Sequence, residues 1–173
     1  MSSKILLVDD DYDILSGYQR NLRKYFNLTV ASSGEDAIEI IASGQQFAII
    51  LTDFKMPGMN GIELLTASRL YLPDTVRMLI TGYAELQTAI EAVNQGAVFR
   101  FLTKPVAVNN LLKTLRDAEE QFKLVTSEKE LLNKTLKGSI KLLIDILGAV
   151  NPIAFSKASR IRMLAKTIAL NMG

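Results

Sequence analysis

Asp9-Asp10, Asp53, Thr81 and the Lys104-Pro105 pair are the positions in this chain whose side chains could do chemistry together. Each follows a short apolar run: Lys4–Val8, Phe47–Thr52, Val76–Ile80 and Val98–Leu102. If those runs are parallel strands of one sheet, their carboxyl ends share an edge and the four features converge on one pocket. Carboxylates brought together there repel, by about 4 kcal/mol per pair at 4 Å and an effective dielectric near 20. They need protonation or a divalent cation to coexist. A hard ion that keeps some waters and takes one or two carboxylates plus a phosphate oxygen meets the need, which points to Mg²⁺ on Asp9, Asp10 and Asp53. The chemistry that follows is phosphoryl transfer. Asp53 attacks in line as the nucleophile, Lys104 presents a fixed cation to the transferred phosphoryl oxygens, and Thr81 then has an anion within hydroxyl reach. An acyl phosphate is hydrolytically labile, so the mark can be erased.

Singly, each feature has an ordinary explanation. Asp10 or Asp11 could be the N-cap of a first helix, a threonine after a strand is commonplace, and Lys-Pro can be a turn. Jointly, at four different strand ends, they point to function.

The elements that must position them are legible as periodicity. Up to about residue 104, five nearly continuous apolar runs (the four above and Leu28–Ala31) alternate with amphipathic stretches over Asp11–Lys24, Gly34–Ser43, Gly61–Leu70 and Ala84–Gln95. Runs of that kind are strands buried on both faces, which requires helices on both sides. The expected fold is α/β, a doubly wound five-stranded parallel sheet of (βα)5 type.

After Val106 the strand signal vanishes. Counting sevens from Leu111 gives Leu111, Leu115, Ala118, Phe122, Val125, Lys129, Leu132, Leu136, Ser139, Leu143, Ile146 and Val150, of which only Lys129 and Ser139 are polar. That is a coiled-coil pattern, and it predicts a homodimer through residues 111–150. Gly138 marks a bend or module boundary, and Asn151-Pro152 ends the helix. An amphipathic piece, Ser156–Leu170, follows. The expected domains are 1–121, a helical linker over 122–150, and the start of a truncated helical output module over 151–173.

Composition narrows the chemistry further. The chain has 173 residues with no cysteine and no histidine, so thiolate metal sites, disulfides and imidazole catalysis are excluded within it. The N-terminus reaches its aspartates after a few apolar residues, which fits neither a secretory signal nor a membrane span, and a cytoplasmic location is expected. Residues 1–104 carry 9 Lys+Arg against 12 Asp+Glu (net −3), and residues 105–173 carry 11 against 6 (net +5). Such asymmetry could mark nucleic-acid contact in the second half, but a solvated helix surface is the simpler reading.

Residues 4–120 resemble the receiver domain of response regulators, through ILLVDDD, LTDFKMPGMNGIELL, LITGYAE and FRFLTKP. The resemblance implies a flavodoxin-like fold, Mg²⁺, phosphorylation of Asp53 by a sensor histidine kinase or phosphotransfer protein, and a cis Lys104-Pro105 peptide. It also implies that the Lys55 backbone carbonyl joins the metal shell and that Phe101 is the switch aromatic partnered with Thr81, although Phe101 could equally be a strand-five core residue. Only self-phosphorylation and autodephosphorylation are expected as catalysis. Further on, the stretch SEKELLNKTLKGSIKLLIDILGAVNPIAFSKASRIRMLAKTIAL is similar to the linker and first output helix of regulators carrying an HD-type phosphohydrolase, with R-x-R-x-x-A at 160–165 as the local signal. Without histidine that enzyme cannot be complete here, so a fragment is expected. The competing reading is a DNA-binding transcriptional regulator using Lys157, Arg160, Arg162 and Lys166, but one amphipathic helix lacks a helix-turn-helix partner. A haloacid-dehalogenase-like phosphatase would want an aspartate at position 55, where this chain has lysine.

Overall fold

A computed structural model describes residues 3–82 and 98–150, together with positions 87, 90 and 91. Five strands, β1 (Lys4–Val8), β2 (Asn27–Ala31), β3 (Ile49–Asp53), β4 (Val76–Thr81) and β5 (Arg100–Thr103), form one parallel sheet in the order β2-β1-β3-β4-β5. Helices α1 (Tyr12–Leu22), α2 (Gly34–Ala42) and α3 (Gly61–Ser68) follow the first three strands, and a long helix α4 (Val108–Val150) follows β5. The expected helix over Ala84–Gln95 falls almost wholly outside the described residues.

The period of two along the strands sorts the core into two layers. Ile5, Leu7, Ile49, Leu51, Met78 and Ile80 pack with Leu15 and Leu22 of α1 and Leu111, Leu115 and Ala118 of α4. Their neighbours Leu6, Val8, Ile50 and Leu79 pack with Ala37 and Ile41 of α2 and Leu64 and Leu65 of α3. This is why the strand sequences read as continuous apolar runs: both faces are covered.

Local chemistry fixes the helix starts. Asp11, not Asp10, is the N-cap of α1, its carboxylate accepting from the Asp13 and Ile14 N–H groups. Asn60 and Glu63 form a reciprocal capping box at the start of α3. A buried arginine closes the other end of α3. Arg77 on β4 donates to the carbonyl of Leu65 in α3, to those of Leu72 and Thr75 in the segment that leads into β4, and to Ser68 Oγ, tying the end of the helix to that segment.

The chain divides into two units, residues 1–126 and 127–173, with α4 contributing to both. The expected seam is corrected here. Leu111, Leu115 and Ala118 are buried in the first unit's own core and Phe122 packs against it, so they cannot face a second chain. The 4-3 spacing continues unbroken from a core-facing stripe into an exposed one, and spacing alone cannot tell the two apart. In the second unit Leu132, Leu136, Leu143, Ile146 and Val150 are exposed.

Candidate functional site

Strand order places the site. The chain leaves β1 to one side for β2 and returns on the other side for β3, so a crevice opens beyond the carboxyl ends of β1 and β3. Asp53 is the last residue of β3, and Asp9 lies one step beyond the Val8–Thr52 pair. Thr81 ends β4 opposite Thr103, and Lys104 comes next.

These ends are tied by the backbone. The Lys104 N–H donates to Thr81 O (2.8 Å), the Phe54 N–H to Ile80 O (2.8 Å), and the Asp9 N–H to Ala31 O (3.3 Å). The carboxylates are aimed by short local turns: Asp9 Oδ1 accepts from the Asp11 N–H (2.9 Å) and Asp53 Oδ2 from the Lys55 N–H (3.0 Å). The remaining oxygens meet one cation. Lys104 Nζ lies 2.5 Å from Asp53 Oδ1 and 3.2 Å from Asp9 Oδ2, bridging the pair. The Lys104-Pro105 peptide is cis.

The electrostatics follow from burial. Asp9 is 2% exposed, and desolvation pushes its carboxyl above the ordinary value despite the opposing Asp11 N–H and Lys104 ammonium; Asp53 adds to the rise. Burial works against the charge of Lys104 too. Its hydrogen bond to Asp53 and the charges of Asp53 and Asp9 outweigh that and hold its pKa above the usual value. The two partners differ because the lysine side chain keeps 31% exposure and Asp9 only 3%. The field reaches α1, where burial raises the Tyr18 hydroxyl and both aspartates add to the effect.

Asp9, Asp53 and Lys104 are thus brought together. Asp10 is exposed, and among the described residues no three acidic side chains group closely enough to hold a metal. The close approach is between two carboxylates and not three, and in this structure the lysine offsets the repulsion between Asp9 and Asp53. The donor set still suits a hard ion: two inward carboxylates with an exposed third beside them, oxygen only, is what a partly hydrated Mg²⁺ uses. Thr81 is fully buried, its hydroxyl donating to Gly82 O at 3.2 Å. Phe101 is partly buried against the second core layer, the core packing that was one of its two sequence readings.

Two contributors carry no chemistry of their own. A β-carbon on Gly61 would stand 2.2 Å from the Asp53 carbonyl oxygen, so α3 approaches the end of β3 as only glycine allows. Glu35, in the first turn of α2, accepts from the Met59 N–H (3.0 Å) and braces the β3–α3 loop. The sequence signal that could have located this helix start is Asn60 with Glu63 three residues on, which the periodicity does not use; nothing local announces the close approach.

The response regulator receiver domain model matches residues 5–116, more than half of the chain, and the chain belongs to that family. It is a two-component signalling domain. Among its relatives, the hydrogenase transcriptional regulatory protein HoxA of Bradyrhizobium diazoefficiens is 31% identical over 149 residues, which is 84% of this chain and 30% of that protein. The crystal structure of adenylate cyclase from Rhodopirellula baltica superposes with a TM-score of 0.76 at 42% identity, covering 78% of this chain and 99% of that one. The signal receiver domain of an HD domain-containing protein from Pseudomonas fluorescens Pf-5 gives 0.66 at 32% identity, covering 75% and 93%. The chain spans less than a third of the length of the first curated relatives it matches.

Proposed function

We propose that Asp53 is the phosphoacceptor, taking a phosphoryl group from a sensor histidine kinase or phosphotransfer protein, and that the mark is relayed through α4 to an output module. The observation that carries this reading is the Lys104 ammonium held between Asp9 and Asp53 at the switch point of the sheet. Asp53 Oδ1 is the oxygen held by the ammonium, and a shift of Lys104 onto the incoming phosphoryl oxygens frees it for in-line attack. Receiver domains in general bind Mg²⁺ at this site; here Asp9, Asp10, Asp53 and the Lys55 carbonyl would hold it, and its charge would neutralise the phosphoryl oxygens. Thr81 then donates its hydroxyl to the new anion instead of to Gly82 O, and Phe101 repacks behind it. A groove lined by Ile14, Tyr18, Pro105, Val106 and Val108 opens beside Lys104 and offers the phosphodonor an apolar seat.

Catalysis by this domain is confined to its own phosphorylation and dephosphorylation. A cytoplasmic setting suits it, and among the described residues no helix is long and apolar enough to cross a membrane. The exposed stripe from Leu132 to Val150 supports a homodimer formed through the second unit. For the output we favour an HD-type phosphohydrolase, on the R-x-R-x-x-A stretch at 160–165, outside the described residues, and on the likeness to the P. fluorescens receiver. The similarity to HoxA, a hydrogenase transcriptional regulatory protein, favours a second reading, transcriptional control through DNA. A duplex-DNA binding titration separates the two, since phosphate contacts give a steep dependence on salt.

The phosphoacceptor reading is tested by thermal unfolding with beryllofluoride and Mg²⁺. Wild type should gain several degrees and Asp53→Asn none; an equal gain in both would overturn the assignment.

A further inference from the structure

The exposed apolar surface of α4 changes width partway along the second unit. The alternation of four and three makes Lys129, Leu136, Leu143 and Val150 the a positions of its heptads and Leu132, Ser139 and Ile146 the d positions. Up to Gly138 the flanking e and g positions are polar: Glu128, Asn133 and Thr135. After Gly138 large apolar residues take them. Ile140 and Leu147 at e and Leu142 at g are all exposed, and with Ile144 at b they widen the apolar arc to about 200° of the helix. From Leu131 to Val150 the exposed apolar side chains leave a surface on the order of 800 Å², about what one partner brings to a stable interface and more than a monomer ordinarily shows in one patch.

A two-stranded coil cannot cover that arc. It buries a and d and leaves e and g at its margin, where charged residues are common. A helix in a four-stranded bundle touches two neighbours and buries its flanks as well as its seam. The seam residues agree, because Leu at a with Ile at d, here Leu143 and Ile146, is a combination that turns coiled coils from two strands to more. We propose that residues 139–150 of four copies of this chain pack as a four-stranded bundle, so that two dimers meet through this stretch. The occupant of the wide face is a second pair of copies. Upstream, a lysine at the a position 129 and the polar flanks Glu128, Asn133 and Thr135 keep 127–138 to pairs. The proposal rests on the dimer reading given above and adds a second contact to it.

Because the first contact uses the seam and the second uses the flanks, substitutions separate them. Light scattering during size exclusion of the full chain should give the mass of four chains. Ile140→Lys with Leu147→Lys charges the e flank without touching a or d and should halve that mass. Leu136→Lys with Leu143→Lys charges the seam and should bring it to one chain. All four side chains are exposed in the single chain, so the receiver core is untouched by either pair. A wild-type mass of two chains would overturn the proposal and leave the dimer standing, three would replace it with a three-stranded coil, and one would overturn both readings. A mass of four that survives Ile140→Lys with Leu147→Lys would overturn the assignment of the second contact to the flanks.

Discussion

Gly61→Ala should damage the site by more than one methyl group suggests. The added β-carbon would lie 2.2 Å from the Asp53 carbonyl oxygen, 2.9 Å from Leu79 Cδ1 and 3.1 Å from the Asp53 carbonyl carbon. The leucine methyl can turn aside, but the carbonyl belongs to a strand end fixed by the Phe54–Ile80 and Gly61–Phe54 backbone bonds. Reaching ordinary contact needs a shift of about 1 Å in α3 or in β3. Overpacking against backbone costs about 3 kcal/mol, and the lower chain entropy of alanine returns up to ~1 kcal/mol, leaving about 2 kcal/mol of destabilisation. With a urea slope of about 1–2 kcal/mol/M the unfolding midpoint falls by about 1–2 M. Because the displaced atom is the phosphoacceptor's own backbone, beryllofluoride affinity should fall as well. Gly17→Ala, inside α1 with nothing within 4 Å of the added carbon, is the control and should stabilise by about 0.5–1 kcal/mol. A Gly61→Ala protein with wild-type midpoint and wild-type beryllofluoride affinity would refute the claim that this close approach positions Asp53.

Further outcomes concern the clamp, the N-terminal tie and the switch. Arg77→Met removes the charged donor shared by the Leu65, Leu72 and Thr75 carbonyls and should cost about 2–4 kcal/mol in urea unfolding, since several buried charged hydrogen bonds are lost together; a loss below 1 kcal/mol would show that water replaces the guanidinium. Ser3 donates to Glu119 Oε1, and that bond, helped by Lys123, holds the Glu119 carboxyl below its usual range against partial burial. A depressed folded pKa contributes stability above the unfolded value and loses it as pH falls through the folded one. Ser3→Ala should therefore be the less stable protein at neutral pH and match wild type in acid, and a constant difference across the range would contradict the linkage. Thr81→Ala should still be phosphorylated at Asp53, while the change in amide exchange beyond residue 110 on adding beryllofluoride should shrink; an undiminished response would mean that the signal leaves the pocket by another route.

The sequence was informative wherever a physical pattern was local or periodic. Nearly continuous apolar runs at Lys4–Val8 and Phe47–Thr52 pointed to two-sided burial, and strand ends then placed Asp9, Asp53, Thr81 and Lys104 on one edge. Boundaries moved by a residue or two: β3 begins at Ile49 and not at Phe47, although Phe47 and Ala48 are buried all the same. What stayed hidden depended on contacts across the fold. Lys104 reads as a ligand for phosphate, and only the geometry shows it neutralising two carboxylates. Asp10 reads like Asp9, yet one turns inward and the other to solvent. Leu115 and Leu143 occupy equivalent seam positions, and only tertiary packing separates the buried one from the exposed one.

The central claim is that Asp53 takes the phosphoryl group. The most direct measurement is peptide mass mapping after acetyl phosphate and Mg²⁺, run on wild type, Asp53→Asn and Asp9→Asn. The account predicts one added phosphoryl group, on the peptide carrying Asp53, absent from Asp53→Asn and reduced in Asp9→Asn. A phosphoryl group on any other residue of wild type, or undiminished labelling of Asp53→Asn, would contradict it.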